Sequence, residues 1–180
     1  LDPSYYDLLA SEARIASLIA IAKGDVPQSH WQHLGRPVTK VNHKQVLLSW
    51  SGTMFEYLMP LLVCRPFAPT LLSETYDSVV RAQRAYARRR GVPWGISESA
   101  FSGVDFEATY QYRAFGVPGL GLKRGLGDDL VIAPYASMMA LMGEPLAACE
   151  NLQRLAMEGR SGTYGFYEAV DYTASRMPPD

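Results

Sequence analysis

The stretch that decides the fold is TLLSETYDSVVRAQRAYARRRGVPWGISESAF, residues 70–101. Its apolar and aromatic residues recur every three or four positions as far as Arg90, which predicts a long helix with one buried side. Glycine is common just past helix ends, so we expect Gly91 to end this helix and the next residues to form a turn. One acid, Glu98, follows the turn between two serines, and the helical pattern does not explain it.

The rest of the chain is predicted to be mainly α-helical, with long loops and one short β-hairpin. Small polar residues and proline mark helix starts, whereas glycine or a later proline marks helix ends. These signals predict four more helices: one capped at residues 2–4 and ending near Lys23, one from Ser51 or Thr53 that Pro66 and Pro69 end, and two over 134–142 and 145–158. Residues 38–50 are predicted to form the hairpin, turning at Asn42 and His43.

Composition and charge exclude several classes of protein. The chain has 180 residues, of which 48% are hydrophobic and 19% charged, with a net charge of −1. These values suit one globular domain and give no indication of a nucleic-acid or anionic-membrane partner. No apolar run reaches the ~18 residues of a membrane span. Cys64 and Cys149 are too few for a disulfide framework, and we expect both to be buried free thiols.

Three motifs that carry chemistry in other proteins are incomplete here. The glycine-rich segment 116–125 departs from the spacing of phosphate-binding and dinucleotide-binding loops, so it is better interpreted as a tight structural loop. The three histidines, at 30, 33 and 43, have no neighbouring cysteine and form no H-E-x-x-H pattern, so we expect no metal and no cofactor. A serine nucleophile has little support, because the G-x-S-x-G pattern is absent.

Acids beside aromatic residues are the pattern that remains. Glu98 follows Trp94, Glu168 lies among tyrosines and a phenylalanine, and Glu56 follows Phe55. For any one of these acids, a helix cap or an ion pair with arginine is the commoner explanation. Together they suit carbohydrate chemistry, because two carboxyl groups cleave a glycosidic bond and an apolar wall raises the pKa of a nearby acid.

Several long segments resemble a known family. In chain order they are YYDLLASEARIASLIAIAKGDVP, HWQHLGRP, LLSWSGTMFEYLMPLL, GVPWGISESAF, YQYRAFGVPGLGLKRGL, VIAPYASMMAL and YGFYEAVDYT. With them the chain resembles the glycoamylase-like central domain of cyclic β-1,2-glucan synthases over nearly its whole length. The resemblance implies an (α/α)6 barrel, of which residues 1–180 would be a single fragment forming a partial toroid, about half of the barrel.

The resemblance also implies a function and its setting. Domains of this family act on β-1,2-glucan and are associated with a transglycosylation that closes linear glucan into a ring. They belong to larger membrane proteins, which places this chain on the cytoplasmic side of the bacterial inner membrane. The expected partners are β-1,2-glucan and the remainder of the parent polypeptide, and an isolated fragment is expected to expose part of its inner face and to self-associate or be inactive.

On this resemblance, Glu98 and Glu168 are the candidate catalytic carboxylates, one as acid/base and one as nucleophile, in either order. The candidate glucan-binding residues are Trp50, Glu56, Trp94, Tyr110, Gln111, Tyr112, Arg113, Tyr167 and Asp171. Trp94 is expected to stack on a glucose ring. Two alternatives stay open, namely an inverting β-1,2-glucan hydrolase and a non-catalytic glucan-binding module. The two carboxyl groups of a retaining enzyme stand roughly 5–5.5 Å apart, closer than those of an inverting enzyme.

Overall fold

A computed structural model describes residues 5–177, and the predicted mainly helical fold is confirmed. The α-helices of the described residues are α1 (Arg14–Lys23), α2 (His30–His33), α3 (Met54–Leu58), α4 (Leu71–Arg90), α5 (Pro134–Ala140) and α6 (Pro145–Met157). Short 3₁₀ helices follow at Met59–Leu62 and Ala174–Arg176. That the chain is one fragment of a larger toroid stays a prediction.

The central helix α4 has both of the predicted ends. At its start, Thr70 Oγ1 accepts from the Ser73 N–H at 3.1 Å, and Ser73 Oγ accepts from the Thr70 N–H at 3.0 Å. At its end, Gly91 adopts φ 74°, a left-handed conformation that glycine reaches without a steric penalty. The side of α4 that faces the core includes Val79 and Gln83, both fully buried, and it packs against α3 and the first hairpin.

Among residues 5–177, eight short strands pair antiparallel in four two-stranded sheets. The strands are β1 (Val38–Val41), β2 (Lys44–Leu47), β3 (Ser99–Val104), β4 (Tyr110–Arg113), β5 (Val131–Ile132), β6 (Ser161–Gly162), β7 (Gly165–Phe166) and β8 (Val170–Asp171). The pairs are β1–β2, β3–β4, β5–β8 and β6–β7. The predicted hairpin is the β1–β2 pair, and its turn residues Asn42 and His43 both have positive φ, 47° and 68°.

The sequence reading missed the β3–β4 hairpin, which lies inside a segment interpreted as loop. Its register shifts between Ala100 and Val104, so the two strands do not run evenly side by side. An irregularity of this kind breaks the alternation of apolar and polar residues by which a strand is recognised. The segment after α4 is therefore more ordered than its glycine and proline content suggests.

The first helix begins later than predicted. Helix α1 starts at Arg14, and the predicted cap at residues 2–4 lies outside the described residues. The run from Leu8 to Ser11 is buried at four consecutive positions, which a surface helix cannot achieve. The run is instead tied to the chain near Gly35, whose carbonyl oxygen accepts from the Leu9 N–H at 2.9 Å.

The glycine-rich segment is a tight structural loop, as predicted. A Cβ atom on Gly116 would lie 1.7 Å from the Ser51 carbonyl oxygen, and one on Gly121 would lie 2.5 Å from the Ser51 carbonyl carbon. The loop is also fastened to Ser49, whose N–H donates to the Leu120 carbonyl oxygen at 3.1 Å. The segment just before α3 is thus fixed by backbone contacts that only glycine permits.

Both cysteines are free thiols, as predicted, but the expectation that they are buried is wrong. Cys64 is half-buried and Cys149 is exposed. Helix α6 turns Ala148 and Leu155 toward the core, and this orientation places Cys149 on the solvent side. Within residues 5–177, no helix is both long and apolar enough to cross a bilayer.

Candidate active site

The turn after α4 holds Glu98 on a fixed stretch of backbone. Gln83 of α4 donates from Nε2 to the Ile96 carbonyl oxygen (2.8 Å) and accepts at Oε1 from the Ile96 N–H (2.9 Å). Ser97 Oγ accepts from a backbone N–H of α3 at 3.0 Å. The Tyr135 hydroxyl of α5 lies 2.8 Å from both Ser97 Oγ and the Glu98 carbonyl oxygen. Three helices therefore fix the backbone that carries Glu98.

The Glu98 carboxyl group lies in surroundings that favour its protonated form. The side chain is half-buried, and its hydrogen-bond partner among the described residues is the Tyr112 hydroxyl, 3.4 Å from Oε2. Burial raises the pKa of Glu98, and the negative charges of Glu12 and Glu56 raise it further, against a smaller opposing effect of the Tyr112 hydroxyl. An acid kept protonated in this way can donate a proton to a departing sugar oxygen.

Glu56 has a structural position and is not open to a ligand. Only 2% of its surface is exposed, and it is the third residue of α3 in a capping box with Thr53. Its Oε2 accepts from Ser49 Oγ (2.8 Å) and from the Thr53 N–H (3.0 Å), and its Oε1 accepts from the Ser51 N–H (3.0 Å). The predicted glucan contact is therefore corrected, because the carboxylate is occupied and covered, and Glu56 acts on the site through its charge.

Glu12 is a third carboxylate of the site, and the sequence reading missed it. It is half-buried and follows the buried run that ends at Ser11, whose Oγ donates to Glu12 Oε2 at 3.1 Å. Among the charges that raise the pKa of Glu98, Glu12 has the largest effect. The sequence interpretation placed residue 12 inside an amphipathic surface helix, where a glutamate is ordinary, so nothing in the pattern marked it.

The buried guanidinium of Arg14 holds the Glu12 segment in place. It donates to the Ser11 carbonyl oxygen (2.8 Å), to the Tyr57 carbonyl oxygen (3.0 Å) and to the Tyr76 hydroxyl (3.1 Å). A buried guanidinium needs such acceptors, because losing them costs several kcal/mol, about 3–5 in the related case of a buried ion pair. The start of α1 is thereby fixed against the end of α3.

Glu168 reaches the same region from the opposite end of the chain. Its Oε1 accepts from the Tyr110 hydroxyl at 2.5 Å and from the Ala100 N–H at 3.1 Å, and the side chain is exposed. The pKa of Tyr112 is raised to about 12, mainly by burial, then by the charge of Glu98 and, more weakly, by the charge of Glu168. Tyr112 therefore lies between the two predicted catalytic carboxylates, and the β3–β4 hairpin brings them together.

The two candidate tryptophans differ in what they offer a ligand. Trp94 is only 7% exposed, and its backbone N–H and carbonyl oxygen are bonded to the buried Asn151 side chain. The expectation that Trp94 stacks on a glucose ring is therefore corrected, because so little of its side chain is exposed. Trp50 is half-buried and stacks on Tyr6, and its Nε1 has no hydrogen-bond partner among residues 5–177.

The remaining predicted contacts lie on the hairpin or beside it. Asp171 pairs with Arg176 at 2.6 Å and accepts from the Ser102 N–H at 3.0 Å. Burial raises its pKa, but Arg176 and two N–H groups outweigh that effect and hold the pKa below its usual value. Gln111 donates to Asp105, Arg113 pairs with Asp129, and Tyr167 packs over Gly162. These side chains shape the hairpin, and Tyr167 stays exposed.

The histidines form hydrogen bonds within the fold or lie in a turn. His30 Nε2 lies 3.1 Å from Ser17 Oγ, and His33 Nδ1 lies 2.8 Å from the Ser29 carbonyl oxygen. His43 occupies the β1–β2 turn. Within residues 5–177, no three His, Cys, Asp or Glu side chains are grouped to hold a metal ion.

A helical fold with clustered carboxylates beside aromatic rings is the arrangement of a carbohydrate-active domain. The chain belongs to the glycoamylase family described as "Putative glucoamylase", whose sequence model matches residues 4–178. It is 56% identical over 178 residues to the cyclic beta-(1,2)-glucan synthase NdvB of Rhizobium meliloti (strain 1021), covering 99% of this chain and 6% of that protein. The predicted family resemblance is confirmed, and the chain spans a small part of this relative.

Two solved structures share the fold. A "putative glucoamylase" from Bacteroides caccae superimposes with a TM-score of 0.67 at 20% identity, over 91% of this chain and 43% of that one. An endo-beta-1,2-glucanase from Chitinophaga pinensis superimposes with a TM-score of 0.56 at 17% identity, over 79% of this chain and 36% of that one. At these identities the likeness extends to the fold, and the described chain corresponds to less than half of each neighbour.

Proposed function

We propose that the chain is part of an enzyme domain that rearranges β-1,2-glucan by retaining transglycosylation, within a longer polypeptide. The identity to a cyclic glucan synthase over nearly the whole chain supports the substrate. One observation supports the chemistry, namely a half-buried Glu98 whose pKa is raised by burial and by two neighbouring carboxylates. Burial also raises the pKa of the structural Glu56, but that carboxylate is covered, whereas Glu98 is half-buried and its hydrogen bond to Tyr112, at 3.4 Å, leaves the carboxyl group open to a ligand.

The proposed reaction uses two carboxyl groups in two steps. One group, protonated, donates its proton to the glycosidic oxygen, while the other attacks the anomeric carbon and forms a covalent glycosyl ester. A hydroxyl of the same glucan then attacks the anomeric carbon, the ester bond breaks, and the first group accepts the hydroxyl proton. The products are a glucan closed by a new glycosidic bond, the released part of the chain with the donated proton on its new hydroxyl, and both carboxyl groups in their starting forms.

Glu98 belongs to the proposed pair, and its partner is either Glu168 or Glu12. The pairing with Glu168, expected from the sequence, stays a prediction. We favour Glu12, because its charge raises the pKa of Glu98 and no such effect of Glu168 on Glu98 is found. Glu168 is also exposed and already accepts two hydrogen bonds from the hairpin, which would have to break before it could attack.

Glutamine variants of the three acids, made in the full-length protein, test the proposal. We expect Glu98→Gln to lower ring formation from linear β-1,2-glucan by about 10²–10⁴-fold, the usual contribution of a general acid or base. The true partner should cause a loss at least as large, whether it is Glu12 or Glu168. Glu107→Gln is the matched control, since Glu107 is an exposed acid on the same hairpin, and it should leave the rate unchanged.

Two further measurements separate the roles and the alternatives. Substrates with a good leaving group need no proton, so they should restore the first step for the acid variant and not for the nucleophile variant. The anomeric form of the first product distinguishes retention from inversion. Normal ring formation by Glu98→Gln would show that the proposed chemistry is wrong and would favour a glucan-binding module.

We also propose that the chain works at the cytoplasmic side of a bacterial inner membrane, as part of a membrane protein. Its similarity to a segment covering 6% of a much longer glucan synthase supports this setting. Protease protection in sealed inner-membrane vesicles of known orientation checks it. Cleavage within the segment in inside-out vesicles and protection in right-side-out vesicles is the expected result.

A further inference from the structure

Tyr6 and Trp50 form a stacked aromatic pair that the carboxylate chemistry does not explain. Their ring centroids lie 5.7 Å apart and their planes are inclined by 17°. Trp50 covers one face of the Tyr6 ring, yet 52% of Tyr6 is exposed, so its other face is open. We call these two rings the aromatic platform.

The aromatic platform lies beside the carboxylates, on the Glu12 side. Trp50 lies between Ser49 and Ser51, and both of these residues donate to the Glu56 carboxylate, Ser49 from Oγ at 2.8 Å and Ser51 from its N–H at 3.0 Å. Burial raises the pKa of Tyr6, and the charges of Glu12 and Glu56 raise it further. The Tyr112 hydroxyl, in contrast, is 3.4 Å from Glu98. The platform and Tyr112 are therefore associated with different carboxylates.

Hydrogen bonds to the same helix, α3, hold the aromatic platform and the Glu98 backbone. Glu56 of α3 accepts from the N–H of Ser51, the residue after Trp50, at 3.0 Å. Ser97, the residue before Glu98, accepts at Oγ from an α3 backbone N–H at 3.0 Å. The platform therefore lies on the α3 side of the carboxylates, whereas Tyr112 lies on the β3–β4 hairpin.

We propose that the aromatic platform is a sugar-binding subsite for one pyranose ring of the glucan, on the α3 side of the carboxylates; this rests on the proposed function. The open face of Tyr6 offers an apolar surface for the C–H groups of the ring, and carboxylate and phenol oxygens beside it can accept from sugar hydroxyls. The same acids disfavour an anionic ligand, which selects a neutral, hydroxyl-rich one.

A subsite in this position gives the chain a hold on glucan on two sides of the carboxylates. Tyr112 contacts Glu98 from the β3–β4 hairpin, and the platform lies on the α3 side. Binding energy taken from sugars remote from the reacting bond can be used to orient the reacting sugar, so a second hold contributes to catalysis as well as affinity. Only a glucan long enough to reach both sides would benefit.

The test measures binding of linear β-1,2-glucan oligomers of increasing length to the full-length protein. The background variant is Glu98→Gln, which prevents turnover, and the read-out is tryptophan fluorescence or calorimetry. Tyr6→Ala is compared with Tyr5→Ala, its matched control, because Tyr5 is 85% exposed and not part of the stack. We expect Tyr6→Ala to weaken binding of long oligomers about tenfold, equivalent to about 1.4 kcal/mol. Short oligomers and the control should be unaffected.

Each other outcome has a definite meaning. Unchanged binding of long oligomers by Tyr6→Ala would overturn the subsite while leaving the proposed function intact. An equal loss at every length would overturn it as well, because it would show that the ring only supports the fold. Failure of the folded Glu98→Gln protein to bind any β-1,2-glucan would overturn the proposed function itself.

Discussion

At the scale of single residues, the surroundings of Glu98 raise its pKa. Burial and the charges of Glu12 and Glu56 favour the protonated form, and the Tyr112 hydroxyl favours the ionised form. The sequence pattern singled out Glu98, because an acid after a helix-ending turn has no structural explanation. It could not single out Glu12, because the burial that makes this residue important comes from the fold.

The Tyr112 hydroxyl gives a prediction about pH. Tyr112→Phe removes the group that lowers the pKa of Glu98, so that pKa should rise. If the protonated form is active, the alkaline limb of the pH–rate profile moves to higher pH. Tyr164→Phe, at a fully exposed tyrosine, is the control and should leave the limb in place. If the acidic limb moved to higher pH and the alkaline limb stayed in place, ionised Glu98 would be the active form.

At the scale of elements, the β1–β2 turn carries strain that can be removed. His43 has φ 68°, where a residue other than glycine is penalised, and asparagine followed by glycine is the favoured sequence of such a turn. We expect His43→Gly to raise the free energy of unfolding by about 1 kcal/mol. Denaturant titration measures it, and a decrease would show that the His43 side chain is needed.

The glycine-rich loop supports the site through its closeness to the backbone before α3. A methyl group at Gly121 would meet the Ser51 and Gly52 backbones, so Gly121→Ala should destabilise the fold by about 1–3 kcal/mol, as overpacking does. Thermal unfolding tests this. Gly127→Ala is the matched control, because its nearest neighbour would be Pro118 at 3.7 Å, and equal effects of the two changes would contradict the argument.

Residues nearby in the sequence determine where most helices begin and end, and contacts between distant parts of the chain determine the rest. Thr70, Gly91 and the prolines at 134 and 145 mark helix ends from nearby sequence, and the structure agrees. The start of α1 could not be predicted, because contacts with residues near Gly35 keep the run before it out of the helix. Long-range contacts also decide part of the candidate site. The burial of Trp94 depends on α6, and the burial of Glu56 depends on the segment before α3.

At the scale of the whole molecule, an apolar groove lies away from the carboxylates. Its volume is about 560 Å³, and α4, α5 and the 3₁₀ helix at Met59–Leu62 line it. Large apolar side chains beside it are exposed, among them Phe67 at 74%. The described chain spans 43% and 36% of the two structural neighbours, so we expect the remainder of a complete domain to cover this groove.

Covering of the groove predicts how the isolated chain behaves. A 180-residue chain on its own should associate in a concentration-dependent way, and a chain long enough to complete the domain should not. Sedimentation velocity over a concentration series measures this. Replacing Phe67 and Val63 by serine should reduce the association, whereas Met157→Ser, at an exposed residue outside the groove lining, should not.

The β3–β4 hairpin is secured mainly by acidic side chains, and acid should therefore release it first. Asp171 and Glu168 accept from the Ser102 and Ala100 N–H groups. The pKa of Asp171 is below its usual value, so its stabilising effect is present near neutrality and disappears as the pH falls through that lowered pKa. The hairpin carries Tyr112, so acidification to below the usual pKa of an aspartate should loosen the surroundings of Glu98 before the helices unfold.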